Sequence, residues 1–273
     1  MIPLFADMVQ GMLPNPPMFE PRRFRTAARH YLAGRPPYAA RLIEDVALFC
    51  GLSTRHRLLD LGCGPGQLAK AFAPKVGSVL GIDPEPEMLA LAQQDAPPNT
   101  QWRQGSSLDL GPELGRFQLV TMGRSFHWMD RVETLRRLDG MIEPGGAVVL
   151  LRDNHPDLPE NAWRTEFRAL LARYEKTPAH RSPGWVPHMS VLLDSPFSAL
   201  EEMSVIERHS TPAETLVERA LSMSATSRAH IGDRADLLAA ELRTWLAELA
   251  PGGMISEVVA STALIARRPD EIG

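Results

Sequence analysis

Leu58-Leu59-Asp60-Leu61-Gly62-Cys63-Gly64-Pro65-Gly66-Gln67-Leu68 is the stretch that decides the fold. Residues 58–61, an apolar run with one acid, read as a buried parallel strand. Three glycines at alternate positions then turn the chain into a helix over 67–72. Glycine tolerates positive φ and lets a ligand lie against bare backbone. A strand-to-helix turn of this kind, at the C-terminal edge of a parallel sheet, is where α/β folds bind nucleotide-like ligands.

The spacing narrows the ligand. A dinucleotide fingerprint is Gly-x-Gly-x-x-Gly, whereas this loop is Asp-x-Gly-x-Gly-x-Gly, with Asp60 ahead of Gly62, Gly64 and Gly66. No Lys-Ser/Thr pair of a phosphate-binding P-loop follows. The next strand candidate, Val79-Leu80-Gly81-Ile82-Asp83, ends in an acid 17 residues after Gly66. An acid there accepts hydrogen bonds from ribose hydroxyls, or it caps the helix that Pro84 introduces.

The loop, the stretch 79–88 and the later Ser125-Phe126-His127-Trp128-Met129-Asp130 together resemble class I S-adenosylmethionine-dependent methyltransferases. Among these the chain is most similar to small-molecule enzymes of the trans-aconitate methyltransferase type, over roughly residues 24–151. The resemblance implies an α/β, Rossmann-like, doubly wound sheet of seven strands in the order 3-2-1-4-5-7-6, the last antiparallel. It implies S-adenosylmethionine as cofactor and S-adenosylhomocysteine as product. Asp60, Gly62, Cys63, Gly64, Gly66, Asp83, Pro84 and Met88 then bind the cofactor, joined by Gly123, Arg124 and Phe126 after the fourth strand. Relatives usually carry an acid just after Gly105 for the adenine amino group. Here Ser106 and Ser107 follow, so the contact falls to a serine hydroxyl, to backbone or to Asp109.

The stretch Ala28-Arg29-His30-Tyr31-Leu32-Ala33-Gly34-Arg35-Pro36-Pro37-Tyr38 resembles the family segment that crosses the methionine end of the cofactor. Tyr31 is a candidate for both cofactor and substrate, because an aromatic face attracts a sulfonium. Arg35 can pair with the methionine carboxylate or with a substrate acid. His127 is the candidate catalytic group, as a base or as an orienter of substrate. Trp128, Asp153, His155 and Trp185 are further substrate candidates. The eight histidines show no metal-ligand spacing, so no metal is expected.

Composition bounds the function. The chain has 273 residues, 44% of them hydrophobic, which suffices for one large α/β domain with a cap. The net charge of −4 argues against a nucleic-acid partner. No apolar run reaches membrane-spanning length, no signal peptide is evident, and two cysteines make no disulfide framework. A cytoplasmic protein, monomer or homodimer, with a small-molecule substrate is expected. Its organisation would be a lid over 1–50, a cofactor-binding core over 51–154, a cap over 155–200 and the rest of the sheet and helices over 201–273. Helices are expected over 24–31, 38–49, 84–94, 125–139, 160–174 and 235–250, the fifth strand over 147–152, the sixth over 203–209 and the last over 255–266. The serine-rich end of the helix after 211, Ser222-Met223-Ser224, is expected to pack in the ordinary way.

The reaction implied is methyl transfer to an oxygen, nitrogen or carbon of a metabolite, a carboxylate or phenol being favoured. Two alternatives share these features: a non-catalytic S-adenosylmethionine-binding protein and an NAD-dependent oxidoreductase.

Overall fold

The computed structural model describes residues 27–175 and 186–270. Residues 1–26 of the lid expected over 1–50, which include the first three of the helix expected over 24–31, lie outside the described residues, as do Trp185 and its neighbours His180 and Arg181.

Seven strands form one sheet in the order β3-β2-β1-β4-β5-β7-β6. They are β1 Arg57–Leu61, β2 Ser78–Asp83, β3 Thr100–Gln104, β4 Phe117–Gly123, β5 Ile142–Asn154, β6 Ala199–Pro212 and β7 Met254–Arg267. The pairs among β1 to β5 are parallel, while β7 runs antiparallel to both β5 and β6. The topology is the one the resemblance implied. β1 is buried on both faces, as its apolar run requires.

Two apolar layers sandwich the sheet. Helices α1 Ala28–Gly34, α2 Ala40–Phe49 and α3 Gln67–Phe72 precede β2 in the chain. On one face α2 and α3 pack Leu42, Val46, Leu68 and Phe72 against Leu58, Leu119, Val149 and Ile265. On the other, Leu135 and Leu138 of α5 (Arg131–Asp139) and Leu192 of α7 (His188–Leu193) meet Leu59, Leu61, Val120, Val148 and Phe197. Helix α4 is Pro86–Ala92 and α6 is Trp163–Ala172. A third, helical cluster joins α6 to α8 Glu214–Leu221 and α10 Arg234–Leu249 through Trp163, Phe167, Leu216, Leu242 and Trp245. The short α9 Arg228–Ile231 links the last two.

Several element limits differ from expectation for local reasons. The helix expected over 125–139 is a 3₁₀ turn, Phe126–Trp128, followed by α5. Asp130 breaks it, because its side chain accepts the Glu133 N–H at 3.0 Å and starts a new helix. β5 extends back through Pro144-Gly145-Gly146 to Ile142, which pairs with Phe117 across a register shift. β6 covers 14 residues because β7 pairs with every one of them.

Candidate active site

The glycine loop has the backbone its sequence demands. Gly62, Gly64 and Gly66 sit at φ 69, 53 and 79°, where a side chain would be strained. A Cβ on Gly64 would meet no protein atom within 4 Å, so this backbone faces open space. A Cβ on Gly66 would lie 2.5 Å from the Trp102 ring, which places Trp102 as packing under the loop.

Asp60 and Asp83 hold the loop from two sides. Asp60 is 1% exposed; its carboxylate accepts the Ala69 N–H at 3.0 Å and the Thr121 hydroxyl at 2.9 Å. Burial raises its pKa to about 7, against those two hydrogen bonds. Asp83 ends β2, and its two oxygens accept the N–H groups of Gly64 at 2.8 Å and Glu85 at 2.9 Å. Burial raises its pKa to about 6, with the same N–H groups opposing the shift.

A cavity of about 860 Å³ opens at the C-terminal ends of β1, β2 and β4. Expected residues that line it are Tyr31, Arg35, Gly62, Gly64, Asp83, Pro84, Met88, Ser106, Ser107, Gly123, Arg124, His127, Trp128 and Asp153. Four of these form its charged corner. Arg124, at φ 55°, pairs through Nε with Asp153, donates through Nη2 to the Pro36 carbonyl at 2.9 Å, and stacks on Tyr38 at 4.6 Å. Burial opposes ionisation of Asp153, but Arg124 and Arg35 beside it hold its carboxyl below the usual range. Arg35 lies over the Tyr31 ring at 5.7 Å, and its buried Nε has no hydrogen-bond partner. Burial lowers its pKa, so the guanidinium is short of solvation where it borders the cavity.

Other expected residues lie elsewhere. Asp60 and Cys63 border only a small crevice beside Tyr38 and Gln67; Asp60 acts by fixing the loop and α3. Gly66 lines neither space and turns the chain into α3. Phe126 is buried in the core and packs on His188 at 5.2 Å. His155 does not face the cavity: its Nε2 is 2.8 Å from Glu257, which also accepts two hydrogen bonds from Arg219. Asp109, considered for adenine, accepts the N–H and hydroxyl of Ser106 in a reciprocal cap and is absent from the cavity wall.

Sequence reasoning missed part of the wall. Met223, Ser224 and Ala225, just past α8, line the cavity; of Ser222-Met223-Ser224, expected to pack in the ordinary way, only Ser222 is fully buried and away from it. Leu108, Met129, Asp130 and Glu175 line it too. The serine cluster was the available signal for the first group, and nothing in the local pattern marks the others. Among the described residues no group of three His, Cys, Asp or Glu side chains is placed to hold a metal ion. No helix there is long and apolar enough to cross a membrane.

Residues 58–146, the loop, Asp83, β4 and the His127 turn, match the family model described as a methyltransferase domain. This part of the chain is a class I methyltransferase domain. Relatives include a demethylmenaquinone methyltransferase of Lactococcus lactis, 31% identical over 145 residues that cover 49% of this chain and 56% of that one. A 2-phytyl-1,4-naphtoquinone methyltransferase of Thermosynechococcus vestitus is 35% identical over 104 residues, 36% of this chain and 46% of the relative. The chain thus spans about half the length of the curated relatives it matches. A solved candidate type II methyltransferase from Anaeromyxobacter dehalogenans shares the fold. It has a TM-score of 0.64 at 21% identity, over 86% of this chain and 97% of the other.

S-Adenosylmethionine is the cofactor of such domains, and the cavity of this one fits it. Asp83 offers carboxylate lone pairs, Gly64 offers bare backbone, and Arg35 offers an unpartnered buried donor.

The raised pKa of Asp83 makes a pH prediction. A ribose hydroxyl placed on Asp83 would donate to the ionised carboxylate, so its binding would favour loss of the proton. With the pKa of the empty site near 6, affinity rises with pH through about 6 and levels off above it. Titration calorimetry between pH 5 and 8 checks this; affinity that grows as the pH falls would contradict it.

Proposed function

We propose that this chain transfers a methyl group from S-adenosylmethionine to a small, apolar, hydroxyl-bearing aromatic acceptor. The observation that carries the reading is one cavity with three different walls. Asp83, Pro84, Met88, Ser106 and Ser107 suit a nucleoside, and Tyr31, Arg35, Gly123 and Arg124 suit an amino-acid end. The wall of Leu108, His127, Trp128, Met129, Met223 and Ala225 remains for an acceptor. About 860 Å³ lies near the upper end of small-molecule sites.

When bound, S-adenosylmethionine supplies a methyl group on a sulfonium that is already a good leaving group. The residues of the chain then bind and align. Asp83 accepts from the ribose, Arg35 receives the methionine carboxylate, and Tyr31 presents a ring to the positive sulfur. The apolar wall holds the acceptor in line and excludes water, which is the main contribution open to the protein. His127 orients the acceptor hydroxyl or takes its proton.

Asp130 and Glu175 also border the cavity, and the acceptor wall has no Lys or Arg among its described residues. That favours a neutral phenol or quinol over the carboxylate also considered from sequence. The quinone substrates in the names of two relatives point the same way. Release of S-adenosylhomocysteine, measured against a panel of quinols, phenols, carboxylic acids and amines, tests this. Turnover confined to carboxylic acids or amines would overturn the acceptor class.

His127→Ala is expected to lower turnover roughly 100-fold, within the range of positioned acid–base groups. Cofactor affinity should stay within a few-fold of the wild type. Equal loss of both would move His127 from the acceptor to the cofactor.

A further inference from the structure

β6 closes one edge of the sheet, pairing with β7 along all 14 residues. Among the described residues nothing pairs with its other side. Edge strands are usually short or covered, because a free row of backbone N–H and C=O groups recruits another strand. This one is long, and Ile206 near its middle is 62% exposed.

We propose that two copies of this chain associate edge to edge through antiparallel β6 strands, with the two-fold axis at Val205. In a two-fold antiparallel pair, opposed residues share a face, so the residue at the axis fixes the register. With the axis at Val205, Glu202 faces Arg208 and Glu201 faces His209, each twice by symmetry. Moved to Ser204, the axis sets Glu201 against Glu207. At Glu207 or Arg208 a charge faces its own copy, and at Met203 or Ile206 no charge finds an opposite. Opposite charges directly across strands stabilise a pair, and like charges destabilise it.

The neighbours of this edge fit the same register. Arg152 lies 3.6 Å from Glu202, and Glu160 lies 2.5 Å from Arg208. Across the axis they extend the contact into an alternating row: Arg152, Glu202, then Arg208 and Glu160 of the second copy. Ile206 comes to lie beside Ser204 of the second copy, which covers the flank it presents at the edge. The result is one continuous sheet twice as wide.

Sedimentation velocity on the full chain over a concentration series, with amide exchange read on β6, tests the proposal. A concentration-dependent dimer is expected, with outward amides of β6 protected only where the dimer is populated. Glu202→Arg and Arg208→Glu should each weaken association roughly tenfold or more. The double variant should recover part of that loss, because its charge pairs are restored with reversed sign. A monomer at every concentration would overturn the proposal. So would a dimer indifferent to both reversals, or β6 protection in the monomer, which would mean that another part of the chain covers the edge. The wild-type association and exchange pattern decide the matter even if a variant folds poorly.

Discussion

Asp83→Ala is expected to weaken S-adenosylmethionine binding by roughly two orders of magnitude or more. Hydrogen bonds to a charged group contribute about 1.5–3 kcal/mol each, and a ribose offers two hydroxyls to one carboxylate. The substitution also removes the acceptor of the Gly64 N–H, so the loop loses an anchor on the side where the ligand lies. Asp83→Asn keeps the shape and one acceptor oxygen, and should fall between the wild type and alanine. Calorimetric titration of the three proteins measures the series. Binding by the alanine variant within a few-fold of the wild type would remove Asp83 from the site.

Arg219→Met is expected to cost about 3–5 kcal/mol of stability, the usual result of leaving a buried charge without its partner. Glu257 is buried and accepts from Arg219 at 2.8 and 3.0 Å, from His155 at 2.8 Å and from Thr211 at 2.6 Å. His155 and Thr211 do not replace the guanidinium. For a chain of this size the loss corresponds to a drop in Tm on the order of 10 °C. The same guanidinium donates through Nε to the Gly34 carbonyl at 3.0 Å, and a Cβ on Gly34 would lie 2.4 Å from the Arg219 backbone. The network therefore also seats α1, which carries Tyr31 to the cavity. Arg219→Met with Glu257→Leu removes both charges and should recover much of the loss. Scanning calorimetry checks both variants, and an unchanged Tm for the single variant would contradict this account of the network.

The glycine loop and its neighbouring acid were legible because their signals are local. Alternate glycines after an apolar run fix a positive-φ loop at a strand end, and an acid at the end of the next strand lands beside it. The strand order came with the family resemblance and not from the pattern itself. Asp60 was expected beside the loop as a cofactor residue, and its structural partners were not legible. Only the fold shows that its carboxylate turns inward to Ala69 and Thr121.

The wall of the cavity proposed for the acceptor was less legible because it is assembled from distant segments. Met223, Ser224 and Ala225 reach the cavity from the end of α8, about 100 residues after His127. No periodicity in their own stretch records that approach. His155 looked like a site residue for the same reason: it follows a strand end on the correct edge of the sheet. Its partners, Glu257 on β7 and Arg219 on α8, are far along the chain and draw it into a buried ion pair.

The central claim is that the loop at Gly62, Gly64 and Gly66, with Asp83, receives S-adenosylmethionine and not a dinucleotide. Calorimetric titration of the wild-type chain with S-adenosylmethionine and, separately, with NAD tests it most directly. Saturable binding of S-adenosylmethionine in the micromolar range, with no heat from NAD, is the predicted result; binding of NAD with none of S-adenosylmethionine would contradict it.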